Sequence, residues 1–407
     1  MKFISGGVCA PKGFRAGGIW CGVKATSRKR DLALIYSEKL CTAAAVFTTN
    51  QVKAASVLVS QKHLANGKLR AIIVNSGNAN ACTGAAGMAA ASKMADLAAD
   101  LFAISPQEVA VASTGVIGVP LPIAAIENSI DALGNSLRND EAGHEAALEA
   151  IMTTDTRKKD GAVEIALGDK IVRIGAMVKG SGMIHINMAT MLGFITTDAA
   201  ISQVLLDKVL RSAVAASFNR VTVDGDTSTN DTLIIMASAE AHNTPITAEG
   251  ADYLLFEEAL TSLCVKLARA LARDGEGASK LLTVTVSGAD SEKDAECLAM
   301  SVASSSLVKA AIFGADANWG RVLCAMGYSG AAFDPGATEI SFTGKSGEVK
   351  VCNNGEYHPF SEEDAKKILS DDEVEIQIKV GSSAGRATVW GCDLTYDYVK
   401  INGDYRS

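Results

Sequence analysis

Aromatic side chains are scarce, at 5% of the 407 residues, while alanine and the 37 glycines are abundant. A core of small and aliphatic side chains suits layered α/β packing and argues against an aromatic-rich binding module. Long basic runs are also missing. The longest are Arg28-Lys29-Arg30 and Arg157-Lys158-Lys159, and the formal net charge is −8. Nucleic-acid binding needs a basic footprint that this chain lacks. The nine cysteines form no CxxC pair and share no zinc-type spacing with histidine. Buried free thiols in a reducing cytoplasm are the expectation. The N-terminal MKFISGGVCAPKGF carries no apolar segment of the signal-peptide kind, and no window of about 18 uncharged apolar residues is present. No membrane association is expected.

What is present is an ordinary globular balance, 48% hydrophobic and 21% charged, over a length that suits two or three domains. Residues 31–75 read as short strands, AASVLVS (54–60) and LRAIIV (69–74) among them, followed by a loop at 75–84 and an Ala-rich helix over 85–101. VAVAS (109–113) reads as a buried strand ending at Thr114-Gly115. Pro122 suits the first turn of a helix that Gly134 would stop. Residues 162–178 form a hairpin about Gly168-Asp169. Ile201, Leu205, Val209 and Ala213 mark one helix. Phe256, Leu260, Leu263, Leu267 and Leu271 mark another over about 249–273. From LLTVTVSGA (281–289) the pattern restarts, with a helical stretch at 291–311 and strands at 338–342, 348–351, 374–380 and 386–390. The expected division is a catalytic domain over 1–285 and a smaller α/β domain over 286–407.

Several chemical motifs fail on inspection. Gly344-Lys345-Ser346 has Glu339 where a phosphate-binding loop needs glycine, so it reads as a hairpin turn. Neither GxSxG nor HExxH occurs. Asp224, Asp226, Asn230 and Asp231 cluster oxygen ligands without the glycine and terminal glutamate of an EF-hand loop. Clustered oxygen ligands suit Ca²⁺ or Mg²⁺, and the spacing by itself leaves a metal reading open.

The stretch KGSGMIHINMATMLGFITTDAA (179–200) carries more information. A glycine-rich turn leads to Ala189, then Thr190, then apolar residues. On spacing alone it reads as a glycine loop feeding a buried strand. A threonine hydroxyl needs an adjacent base to act as a nucleophile. An N-terminal threonine supplies its own in the α-amine, whose pKa of about 7.7–8.0 lies near working pH. An internal threonine gains that amine only if the preceding bond breaks, here Ala189–Thr190, through attack of its hydroxyl on the Ala189 carbonyl.

The whole chain resembles the ornithine acetyltransferases, the glutamate N-acetyltransferases of arginine synthesis. The resemblance rests on GFRAGGI (13–19), KGSGM, NMATML, FITTDA, TVDGDTSTND (222–231), FGADANWGR (313–321) and INGDYRS (401–407), all in the family's order. It implies an αββα-layered main domain of the N-terminal-nucleophile kind, a smaller α/β domain, self-cleavage between Ala189 and Thr190, and an α₂β₂ assembly. Thr190 is then the nucleophile that carries acetyl from N²-acetylornithine to glutamate, in two half-reactions at one site. Thr114 and Gly115 match the oxyanion-hole pair. Thr153, Lys179, Thr190, Glu276, Asn402 and Ser407 match substrate-binding positions, with Lys179 suited to a carboxylate and Glu276 to an ammonium. The resemblance also implies no metal and no cofactor, so that Asp224, Asp226, Asn230 and Asp231 belong to a hydrogen-bonded loop near the site, and acetyl-CoA is a further acetyl donor in some family members. Ser407 stands where threonine is usual and keeps the hydroxyl. Ile186 stands where proline is usual. Proline would restrict residue 185 near the scissile bond, so slower cleavage is expected here. An N-terminal-nucleophile amidase or aminopeptidase using the same Thr190, and an amino-acid-binding protein without chemistry, are the competing readings.

Overall fold

The structure is a computed structural model that describes residues 1–24, 27–185 and 191–404. Two sheets organise it. The first contains β1 (Lys2–Ile4), β2 (Phe14–Ile19), β3 (Leu32–Phe47), β4 (Lys68–Asn78), β5 (Val109–Val116), β6 (Lys159–Leu167), β7 (Lys170–Lys179), β8 (Leu192–Thr197) and β9 (Thr232–Ala237). Their order is β1-β6-β7-β8-β9-β3-β4-β5, with β2 also paired to β3. The first half of β3 pairs with β2 and β4, and its second half with β9. Between the halves the register shifts, and Glu38, Lys39 and Leu40 are exposed. One strand therefore turns a single sheet into two facing layers.

Side-chain alternation shows the layering. Along β8 and β9, Leu192, Phe194, Ile234 and Met236 face an inner core, while Ile195, Leu233 and Ile235 face an outer one. Along β4 and β5, Ile72, Val74, Ala110 and Ala112 join the same inner core, and Ala71, Ile73, Val109 and Val111 face away. Helices α1 (Ala55–His63), α2 (Gly84–Phe102), α3 (Ile123–Glu127) and α4 (Ile130–Asn135) cover that second outer face. Helix α5 (Glu141–Ile151) fills part of the inner layer. Helices α6 (Gln203–Ala215) and α7 (Ala251–Arg273) cover the face of β6–β9. The order is the αββα layering that the resemblance implies.

The second sheet holds β10 (Leu281–Ala289), β11 (Glu339–Gly344), β12 (Gly347–Asn353), β13 (Glu356–Tyr357), β14 (Glu373–Lys379) and β15 (Gly385–Cys392), in the order β13-β12-β11-β14-β10-β15. Its apolar face packs on α8 (Glu292–Ser304), α9 (Ser306–Phe313), α10 (Trp319–Gly327) and α11 (Glu362–Leu369). Position 285, where the sequence suggests a boundary, lies within β10. The last helix, α12 (Tyr396–Asp404), follows β15 and returns toward the first layer system through Asn402 and Glu276.

Some sequence expectations need correction. AASVLVS is helical, within α1, and not a strand. Ala55, Ser56, Val57, Val59 and Ser60 are all buried, so no polar face marks the helical period. Ser60 Oγ both donates to Val111 O and accepts from Val111 N, at 2.7 Å each, which satisfies the helix against β5. The stretch read as several short strands contains one 16-residue strand, β3. The helix expected from Pro122 to Gly134 is two, and Gly134 lies inside α4. The stretch at 291–311 breaks by 60° at Ser305, whose side chain caps α9 by accepting from Val308 N. Cys82 and Cys324 are exposed and Cys21 and Cys297 half-buried, so only five of the nine free thiols follow the expectation of burial. Among the described residues no single helix is long and apolar enough to cross a membrane. The bent α8–α9 pair qualifies by length and composition, but its Leu298, Val302, Val308 and Ile312 sit in the second core.

Candidate active site

Five of the sequence-designated residues lie at the ends of inner-layer strands or on turns beside them. β7 ends in Lys179, which is buried. Its ammonium donates to Thr153 Oγ1 at 2.7 Å and lies 3.7 Å from Asp155 Oδ2. An ammonium has three N–H groups. One is spent on Thr153, and Asp155 is near enough for an ion pair but not for a hydrogen bond, so among the described residues two N–H groups and the Thr153 hydroxyl proton are left to meet an incoming anion. Burial lowers the Lys179 pKa, Asp155 opposes that shift, and neighbouring Lys159 adds to it.

A buried ion network holds this cation in place. Asp155 Oδ1 accepts from Lys159 Nζ at 2.6 Å and from Gly180 N at 2.8 Å, and Oδ2 accepts from Thr153 N at 3.0 Å. Lys159 also donates to Asp274 Oδ2 at 2.5 Å. Asp274 accepts further from Thr156 N, Thr156 Oγ1 and Arg157 N. Burial alone would raise the Asp155 carboxyl, but Lys179 and Lys159 outweigh it and hold the group below the ordinary carboxylate range.

Glu276 stands on the turn after α7. Its backbone N–H donates to Ser181 O at 2.9 Å, which ties this turn to the glycine-rich turn after β7. Its Oε2 accepts from Asn402 Nδ2 of α12 at 2.9 Å. A Cβ at position 182 would lie 2.4 Å from that oxygen, so Gly182 makes room for the carboxylate. A cleft of about 430 Å³ runs along the same turn, lined by Asp274, Gly275 and Gly277 and by Asp397, Lys400 and Ile401 of α12.

Thr114 and Gly115 lie at the end of β5, in register with Ser76 and Gly77 of β4. Gly115 has φ +133°, and a Cβ there would fall 2.3 Å from the Gly77 carbonyl carbon. Both facts demand glycine. Gly115→Ala is therefore expected to destabilise the protein by about 1–3 kcal/mol or more, because backbone cannot yield as a side chain can. Thermal melting checks this; an unchanged melting temperature would remove the close approach from the account.

Two residues outside the sequence-designated set join these groups. Lys24 lies against Gly77, since a Cβ at 77 would meet Lys24 Cγ at 2.7 Å. Its ammonium donates to Met152 O at 2.7 Å, next to Thr153. Burial lowers its pKa to about 8; Asp31 opposes the shift and Lys179 adds to it. Nothing in the pattern around Lys24 marks it, because its partners are backbone carbonyls. Asn230 donates to Ala79 O at 2.6 Å and Ser113 O at 2.8 Å, tying the end of β5 to the start of β9. Beside it, Asp231 Oδ1 accepts from Met191 N at 3.0 Å, while Oδ2 is buried without a hydrogen-bond partner among the described residues. Burial raises the Asp231 carboxyl well above its ordinary value, which favours the neutral acid.

Ala189, Thr190 and Ile186 lie outside the described residues, as does Ser407. Met191, which follows Thr190 in the chain, leads directly into β8. Of the histidines, His144 is a core group that accepts from Val8 N through Nδ1 at 3.3 Å and pairs with Asp160 through Nε2 at 3.1 Å. His185 Nδ1 lies 3.2 Å from Thr222 Oγ1, and burial lowers its pKa, with Asp224 and Asp226 opposing.

Comparison with known proteins adds the following. The ArgJ family model matches residues 15–407. The arginine biosynthesis bifunctional protein ArgJ 1 of Clostridium acetobutylicum is 51% identical over 394 residues, which is 97% of this chain and 96% of that protein. The ArgJ protein of Symbiobacterium thermophilum is 50% identical over 408 residues and all of both chains. The crystal structure of arginine biosynthesis bifunctional protein argJ from Bacillus halodurans matches at 45% identity with a TM-score of 0.50, covering 52% of this chain and 98% of that one.

Proposed function

On the premise that the chain belongs to the ArgJ family of arginine biosynthesis bifunctional proteins, we propose that it moves an acetyl group from N²-acetyl-L-ornithine to L-glutamate through an acetyl-Thr190 intermediate. The observation that carries this reading is the joining of two complementary receptors. The buried Lys179 and the half-buried Thr153 form a donor pair for a carboxylate, and Glu276 with Asn402 offers an acceptor for an ammonium. The Glu276 N–Ser181 O bond fixes one against the other. An α-carboxylate and a side-chain ammonium are the two charged ends of N²-acetylornithine.

The chemistry follows from that placement. The Thr190 hydroxyl attacks the acetyl carbonyl, and the Thr190 α-amine takes its proton. Thr114 and the Gly115 N–H meet the negative charge that develops on the carbonyl oxygen; one such donor is typically worth about 3–4 kcal/mol. The C–N bond breaks, the proton passes to the leaving α-amine, and ornithine departs. Glutamate then attacks the ester with its own α-amine, gives a proton to the Thr190 α-amine, and leaves as N-acetylglutamate with the hydroxyl restored. Acetyl-CoA would reach the same acyl-threonine by losing its thiol.

The α-amine is available once the Ala189–Thr190 bond is cut. The cut chains would stay together, because Ile174–Lys179 of β7 pairs antiparallel with Leu192–Thr197 of β8 across the cut. Association as α₂β₂ is part of the same proposal.

Incubation with N²-acetylornithine tests the function directly. With glutamate present, stoichiometric N-acetylglutamate is expected, and without it, one acetyl group on the 190–407 chain by mass spectrometry. Rapid release of free acetate would instead make the enzyme a hydrolase. An unmodified chain with no product would leave only amino-acid binding. Acetyl-CoA in place of acetylornithine reports the second donor.

A further inference from the structure

The TVDGDTSTND stretch supplies no group to the receptors above, yet it touches the chain on both sides of residues 186–190. On the upstream side, Asp224 Oδ2 accepts from Met183 N at 2.6 Å and Oδ1 from Ile184 N at 2.8 Å. Val223 N donates to Ile184 O at 2.8 Å, and Thr227 Oγ1 donates to His185 O at 3.2 Å. Met183, a non-glycine residue, is held at φ +56° by these bonds. On the downstream side, Asp231 Oδ1 accepts from Met191 N at 3.0 Å, and Thr232 N donates to Met191 O at 3.0 Å.

We propose that residues 222–232 form a two-point clamp that sets the rate of Ala189–Thr190 cleavage, with Asp224 positioning the upstream flank and Asp231 the downstream flank. The proposal rests on the self-cleavage reading above and adds to it the residues that aim the bond. A hydroxyl can reach the preceding carbonyl only in a bent, restricted backbone geometry. Free flanks would spread that segment over extended conformations in which the two atoms stay apart. Tethers on both sides narrow the search. After the cut, the two tethers differ in role. Asp231 and Met191 belong to one chain, so this tether continues to steer the segment that begins with the nucleophile. Asp224 then holds the end region of the other chain.

Asp231 acts as a hydrogen-bonding group within a buried site. Its Oδ2 lacks a partner among the described residues, and an asparagine in its place keeps a carbonyl oxygen for the Met191 N–H. The test is a time course of cleavage, followed by intact mass, on freshly purified full-length wild type and the variants Asp231→Ala, Asp231→Asn, Asp224→Ala and Thr190→Ala. Asp231→Ala and Asp224→Ala are expected to cleave about tenfold or more slowly, the scale of one lost buried hydrogen bond. Asp231→Asn should stay within about threefold of wild type. In mature Asp231→Ala enzyme, kcat should fall while KM for acetylornithine holds, because the substrate receptors are elsewhere. Wild-type rates in both alanine variants would overturn the clamp, as would an Asp231→Asn variant as slow as Asp231→Ala. If Asp231→Ala does not fold, Asp224→Ala and Asp231→Asn decide between the same outcomes. Failure of the underlying reading shows separately, as wild type that never cleaves or Thr190→Ala that does.

Discussion

Thr190→Ala is expected to leave the chain whole and to transfer no acetyl group. Both events depend on one hydroxyl. In cleavage it attacks the Ala189 carbonyl, and in transfer it attacks the acetyl carbonyl. Alanine removes the attacking atom and, by preventing the cut, also withholds the α-amine that would serve as base. Nucleophile and base act as one unit, so their losses do not add. The transfer rate should fall on the order of 10⁴–10⁶-fold, toward what binding and the oxyanion donors alone support. Denaturing electrophoresis should show a single full-length chain where wild type gives 1–189 and 190–407. Serine at the same position keeps a hydroxyl and should retain part of both activities. Transfer by the alanine variant at even a hundredth of the wild-type rate would remove Thr190 from the mechanism.

Lys159→Met is expected to produce the largest loss of stability among substitutions around the site. Lys159 is 1% exposed, and its two partners, Asp155 and Asp274, are 0% and 2% exposed. Among the described residues it is the sole cation within 4.0 Å of Asp274. Methionine matches its length without its charge and leaves two buried carboxylates facing one remaining cation, Lys179. Breaking a buried pair by removing one partner typically costs about 3–5 kcal/mol. A lower urea midpoint would record it. Adding Asp274→Asn to Lys159→Met removes the stranded charge and should recover a measurable part of the loss; no recovery would mean that packing, not charge, accounts for the effect. The pH dependence has a definite sign. Asp155 sits below its ordinary value of 3.8 in the folded protein. Its stabilising contribution is complete above that value and disappears as pH falls through the lower folded value. Without Lys159 the folded value rises toward the ordinary one, so acid unfolding should begin at higher pH.

Local pattern was enough for elements marked by a turn pair or by a regular apolar spacing. The β6–β7 hairpin about Gly168-Asp169, α7 with its leucines every three or four residues, and β14 with alternating Val374, Ile376 and Ile378 all form as their spacing indicates. Helix α1 did not, because burial nearly all round erases the polar face that tells helix from strand. The designated site residues were legible only through long motifs in a family order. Lys24 was not legible at all, since backbone carbonyls accept its hydrogen bonds and carry no sequence signature.

The sequence by itself determined the membership in a family, the candidate nucleophile and the residue types suited to each end of the substrate. Those depend on side-chain chemistry and on order along the chain. Tertiary structure alone decided which charges neutralise one another and which segments are held. Lys159 and Asp274 are separated by 115 positions, and Asn402 and Glu276 by 126. Pairing at such separations depends on which strand ends and helix faces meet when β3 folds one sheet into two layers. No periodicity within a single element records that meeting, because each element's pattern reflects only how deeply its own faces are buried.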